Sequence, residues 1–159
     1  MAFFIFIICG VLGIVTGFVI IIVPVTKILQ ESNEQSKKIN EYFQLLNMWM
    51  KTKQERKTDL SYFVNKGYKT VGIYGMRELG ERLLEELKDS EISVKCIIDQ
   101  DTDRVREIYP NIPVIHPDES IPEVDVIIVT AFYYFGQIND KLRVKTKCDI
   151  LSLEEMIYR

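Results

Sequence analysis

The sequence is poor in the residues that carry most enzyme chemistry. It has one histidine, His116, and three cysteines, Cys9, Cys96 and Cys148, that stand far apart. No CxxC pair and no Cys/His cluster exists, which argues against a disulfide framework or a zinc site and is compatible with a reducing compartment. Cys96 and Cys148 lie in apolar runs and read as small core residues. There is no Walker loop, no zincin motif and no nucleophile elbow. Neither Tyr133 nor Tyr134 is followed four residues later by a lysine, so the Tyr-x-x-x-Lys pair of hydride chemistry is missing. His116, between Ile115 and Pro117, lacks a placed partner and reads as a loop residue, not a general base. Glu154 and Glu155 read as solvated. No catalytic or metal-ligating residue is therefore assigned. The net charge of −3 gives no electrostatic argument for nucleic-acid binding.

Charge is also missing from the start of the chain. Ala2 to Val23 carries no charged side chain, from Phe3-Phe4-Ile5-Phe6 to Ile20-Ile21-Ile22-Val23. A helix needs about 20 apolar residues to cross the hydrocarbon core, and this run suffices. A cleaved signal peptide would need a basic start, a shorter apolar core and a small-x-small site, and these are not found. The run is expected to be an uncleaved single-pass anchor. Lys27, Lys37 and Lys38 follow it and no side-chain cation precedes it. The positive-inside bias then puts the rest of the chain in the cytoplasm, on the plasma membrane. Gly13 and Gly17 form a GxxxG that would let two such helices approach closely.

The expected organisation is an anchor over 1–26, a helical connector over 27–67 and an α/β domain over 68–159. Glu31 to Lys38 has no apolar face and fits a solvated helix or a linker. Ile39, Tyr42, Phe43, Leu46, Trp49 and Met50 recur at steps of three and four, which predicts an amphipathic helix. Its apolar side could cover the globular domain, a second copy of the chain or lipid. Lys51, Lys53, Arg56 and Lys57 form a small basic cluster that suits a solvated helix end or anionic lipid. Asp59 to Asn65 reads as a short helix stopped by Gly67.

Strands are predicted at Val71–Tyr74, Ser93–Asp99, Pro113–His116, Val124–Thr130 and Cys148–Leu151. Helical patterns fall between and after them, at Leu79–Asp89, Asp103–Tyr109, Tyr134–Leu142 and Leu153–Tyr158. Alternation of this kind implies an α/β fold with a parallel sheet covered on both faces. Right-handed crossovers favour the doubly wound order 3-2-1-4-5. A ligand then binds at the carboxyl ends of the strands where the order reverses, between Gly75 and Thr130. About 90 residues build this, which is small for such a domain.

Gly75-Met76-Arg77-Glu78-Leu79-Gly80 follows the first strand and opens the first helix of the domain. It keeps the first and third glycines of the dinucleotide fingerprint, with Arg77 at the second. The first glycine makes the turn and the third lets helix and sheet lie close; the second admits a pyrophosphate. Arg77 either crowds that approach or folds outward and pairs with a phosphate. Asp99 lies 19 residues past Gly80, where an acid accepts from a ribose hydroxyl of NAD or simply opens the turn Asp99-Gln100-Asp101. Gly75, Met76, Arg77, Gly80, Asp99 and Thr130 are the candidate binding residues.

At Tyr74–Gly80, Ile98-Asp99 and Val126–Thr130 the chain resembles the small Rossmann-like domains of bacterial surface-polysaccharide and sugar-nucleotide proteins. These include the N-terminal domains of sugar acetyltransferases and the nucleotide-binding part of capsule epimerase/dehydratases. The resemblance covers about Tyr68 to Tyr158. It implies a setting in cell-envelope glycan assembly, with glycan enzymes as partners and NAD or a nucleotide-sugar as ligand. The hexapeptide-repeat and larger catalytic domains of those proteins have no counterpart in this sequence. Three functions remain open: a nucleotide-binding module, a ligand-free scaffold with a degenerate site, and an NAD-dependent subunit completed by a partner.

Overall fold

Short β-branched runs ending in turn residues make five strands, and the glycine- and leucine-patterned segments between them make helices. The computed structural model describes residues 2–55 and 61–158, with side chains described over 22–55 and 63–158. Helix α1 is Ala2–Gln54 and α2 is Ser61–Lys66. Strand β1 (Thr70–Tyr74) leads into α3 (Glu78–Lys88), and β2 (Ser93–Ile98) into α4 (Thr102–Ile108). Then come β3 (Val114–Ile115), β4 (Val126–Val129), a single 3-10 turn at Phe132–Tyr134, α5 (Phe135–Arg143), β5 (Asp149–Ser152) and α6 (Leu153–Ile157).

The sheet is wholly parallel and its order is β3-β2-β1-β4-β5, as the crossover rule requires. Tyr74, the last residue of β1, lies between Ile98 of β2 and Val129 of β4. All four residues of β4 are buried, so its sequence is apolar without alternation. Phe135, Ile138 and Leu142 of α5 pack on one face of the sheet, against a cluster that includes Cys96, Ile98, Ile127, Val129 and Ile150. No helix spans the link from β3 to β4; Ile121 and Val124 of that loop complete this cover. Leu79, Leu83, Leu84 and Leu87 form the buried stripe of α3, one helical face at three- and four-residue steps.

The chain divides into two compact units, Met1–Gln44 and Leu45–Arg159. The segments that the sequence separates into anchor, polar stretch and amphipathic helix all fall within α1. Its last turns belong to the second unit. Leu45 and Trp49 are buried there, and Lys53 Nζ lies 2.6 Å from Glu86 Oε2 of α3. Ile39, Phe43 and Met50 stay exposed. Among the described residues no helix is long and apolar enough to cross a membrane. The anchor expected at Ala2–Val23 lies, up to residue 21, outside the described side chains, and so do Cys9, Gly13 and Gly17. Arg56 and Lys57 of the basic cluster, and the start of the helix expected from Asp59, are likewise outside the described residues.

Two contacts hold the domain's geometry. At the amino ends of the strands, Asp125 Oδ2 accepts from Lys69 N (2.8 Å), Thr70 N (2.7 Å) and Thr70 Oγ1 (2.9 Å), while Asp125 N donates to Thr70 Oγ1 at 3.0 Å. This locks β4 beside β1. At the carboxyl ends, α3 lies so close to the turn before it that a Cβ on Gly80 would stand 2.2 Å from Gly75 O. That neighbour is backbone and cannot swing away.

The Lys69 amide, with the Thr70 hydroxyl and amide, holds the Asp125 carboxyl below its usual value. A depressed folded-state pKa contributes stability above the unfolded value, and that contribution is lost as pH falls through the folded one. Asp125→Asn is expected to lower the thermal midpoint at neutral pH and to flatten the acid limb of stability below about pH 4; thermal melts across acid pH check both. Gly80→Ala is expected to destabilise the domain by about 3 kcal/mol, at the upper end for overpacking, because helix and turn must part. Its denaturant midpoint should fall well below that of a Gly136→Ala control, where a Cβ meets nothing within 4 Å.

Candidate functional site

The site forms where β1 and β4 end and the strand order reverses. Gly75 N–H donates to Ile98 O at 2.8 Å, the last ladder bond of β1. Gly75 then takes φ +91, a conformation that L side chains rarely adopt, and the chain turns into α3. Thr130 N–H donates to Tyr74 O at 3.0 Å, and the Thr130 hydroxyl lies 2.6 Å from Gly75 O and 3.0 Å from Tyr74 O. Thr130 is 5% exposed, so its side chain props the turn from below.

Met76 is buried, and only its main chain takes part in the turn. Its N–H donates to Asp99 Oδ2 at 2.6 Å, while Asp99 Oδ1 accepts from Asp101 N–H at 2.9 Å. Asp99 thus ties the end of β2 to the glycine turn. Both of its oxygens are engaged, although each carboxylate oxygen keeps a second lone pair for a hydroxyl donor. The two readings of Asp99, ribose acceptor and turn opener, are therefore joined by a third role, as clamp on Met76.

Arg77 stands at the amino-terminal cap of α3 with φ −103 and ψ −161, and no side chain caps the helix there. Its own side chain is exposed and makes no hydrogen bond or ion pair among the described residues. Glu78 and Glu81 occupy the first turn of α3 and answer part of its positive end. A second cation arrives from α4. Arg104 Nη2 donates to Met76 O at 3.0 Å and its Nε lies 3.3 Å from Asp101 Oδ2. Sequence reasoning missed Arg104; the signal available was only its three-residue spacing from Asp101.

Tyr74 was also missed, and Tyr133 and Tyr134 were weighed only for hydride chemistry. Tyr74 packs on the α5 face, and burial, with the charges of Asp99 and Asp118, pushes its phenol pKa up. At neutral pH it is a hydrogen-bond donor and not a base. Ala131 abuts Gly75: a Cβ on that glycine would lie 3.9 Å from Ala131 Cβ. The 3-10 turn Phe132–Tyr134 follows at once, with Tyr133 and Tyr134 exposed and their ring centroids 5.6 Å apart, edge to face.

The remaining ionisable groups lie elsewhere or are tied locally. His116 follows β3, and its Nδ1 accepts from Asp118 N–H at 3.2 Å, so it closes its own turn. Glu154 and Glu155 are exposed in the first turn of α6. Burial pushes the Cys96 thiol up to about 11 and raises that of Cys148, so both stay protonated. Among the described residues no group of three or more His, Cys, Asp or Glu could hold a metal ion.

Neither a curated protein nor a solved structure matches the sequence. One family profile does, that of the C2185-like, N-terminal domain, over residues 67–150. The match runs from just before β1 into β5 and contains the glycine turn, Asp99, Arg104 and Thr130. Spanning more than half of the sequence, it identifies the chain as a member of the C2185-like, N-terminal family.

Proposed function

We propose that the α/β unit binds a nucleotide or nucleotide-sugar, and that α1 tethers it to the inner face of the plasma membrane, where it serves cell-envelope polysaccharide assembly. The observation that carries the ligand is an exposed arginine, Arg77, at the uncapped start of α3, just after the left-handed Gly75 turn. Helix N–H groups and a guanidinium together suit a diphosphate. Tyr133 and Tyr134, exposed after β4, each present a ring on which a base or sugar could pack. The lone pairs left on Asp99 suit a ribose hydroxyl. Membrane tethering is supported by the uncharged run Ala2–Val23 and by the exposed Val23, Val25 and Ile28 that follow or end it.

A ligand-free scaffold is the second reading. It is favoured by the use of Asp99 and Thr130 inside the protein and by a side chain where a pyrophosphate normally meets glycine.

Titration calorimetry of the full chain in detergent, with NAD, NADP and UDP-glucose in turn, separates the two. Saturable heat with one of them is expected, and Arg77→Gly should weaken that binding roughly tenfold, the loss of one charge-assisted phosphate contact. Absence of heat with all three sinks the nucleotide reading. Binding that emerges only in Arg77→Gly establishes a degenerate site.

A further inference from the structure

Helix α1 carries an apolar seam that its own chain leaves open. Within the first unit, Leu29, Ile39 and Phe43 are 59%, 64% and 60% exposed. These positions belong to one heptad register. Counting from Leu29 as a, the a positions are Leu29, Ser36 and Phe43, and the d positions are Ser32 and Ile39. The sequence extends the same register in both directions, to Ile22 and Val25 before it and to Leu46 and Met50 after it. A repeat alternating three and four residues is the seam of a left-handed coiled coil.

Charge placement identifies the occupant. The charged residues between Ile22 and Gln44 are Lys27, Glu31, Glu34, Lys37, Lys38 and Glu41, and each falls at b, c or f, away from the seam. The flanking e and g positions hold Thr26, Asn33 and Asn40, with Ile28, Gln35 and Tyr42. In a pair of identical helices, like positions face one another, so flanks without charge bring no repulsion. The Lys37–Glu41 pair at 3.8 Å lies on the outer face. A helix lying on anionic lipid would instead line its apolar face with Lys and Arg. Here three lysines and three glutamates cancel (3 − 3 = 0), which gives no such attraction.

We propose that α1 pairs with α1 of a second copy of this chain as a coiled coil running from about Leu29 to Phe43, with Ser32 and Ser36 forming small polar layers between apolar ones. Anchoring both copies in one membrane makes the pair parallel, and this orientation rests on the tethering proposed above. Leu45 and Trp49 face their own domain and do not take part. The membrane therefore carries two α/β units side by side.

The test uses the full chain with Cys9→Ser, in detergent and in phosphatidylcholine/phosphatidylglycerol vesicles. Ser32→Cys and Ser36→Cys, introduced singly, are expected to form disulfide-linked dimers on mild oxidation, several-fold more than Glu34→Cys on the outer face. Ile39→Glu with Phe43→Glu should convert the dimer to monomer by light scattering, with the circular dichroism of the folded domain unchanged. A monomeric parent protein overturns the proposal, as does equal cross-linking at Glu34→Cys. A dimer that survives the double glutamate variant also overturns it and leaves Gly13 and Gly17 as the contact. Quenching of a fluorophore on Phe43→Cys by nitroxide lipid would place the seam on the bilayer and overturn it likewise. Ligand binding is not a readout, so failure here is distinct from failure of the nucleotide reading.

Discussion

The main-chain oxygen of Gly75 is pressed from two sides. From α3, Gly80 comes so near that even a methyl group would collide with it. From β4, the Thr130 hydroxyl reaches it at 2.6 Å. The helix, the turn and the central strand pair are thereby fixed against one another at one point. Everything that could bind a ligand hangs from this point: the start of α3, the Arg77 side chain, and the main chain of Met76 held by Asp99 and Arg104.

That rigidity bears on function. A preorganised turn loses little conformational freedom when a ligand arrives, so a modest set of polar contacts can still give useful affinity. Among the described residues around the turn are hydrogen-bond donors and two exposed aromatic rings. Tyr74, Cys96 and Cys148 are all shifted toward their protonated forms, chiefly by burial, and His116 serves its own turn. On the pairing and tethering proposed above, two such units would present their turns to shared partners at high local concentration.

Helix α1 illustrates how one element can face several ways. Leu45 and Trp49 sit on the side that enters the core of the second unit. Ile39, Phe43 and Met50, one step around the helix, remain in solvent in a single chain. The apolar spacing at 39–50 announces amphipathicity, but it cannot say which of these side chains the domain will cover. Tertiary packing buries Leu45 and Trp49, and nearby Lys53 pairs with Glu86 of α3.

The sequence by itself determined the alternation of strands and helices, the order 3-2-1-4-5 and the place of the glycine turn. Those depend on local period, on turn residues such as Gly75, and on a handedness rule that holds for nearly every parallel crossover. Boundaries shifted by a residue or two. Tertiary structure decided the rest. Asp99 and Thr130 stood where a ligand contact was expected, yet their polar atoms turn to the protein's own backbone, because unpaired polar groups near a buried strand end are costly. Arg104 reached the site across 28 residues of chain, a distance over which sequence spacing carries no directional information. Among the described residues, the Arg77 side chain stays exposed and unbonded, an outcome set by its neighbours in space and so not legible in local spacing.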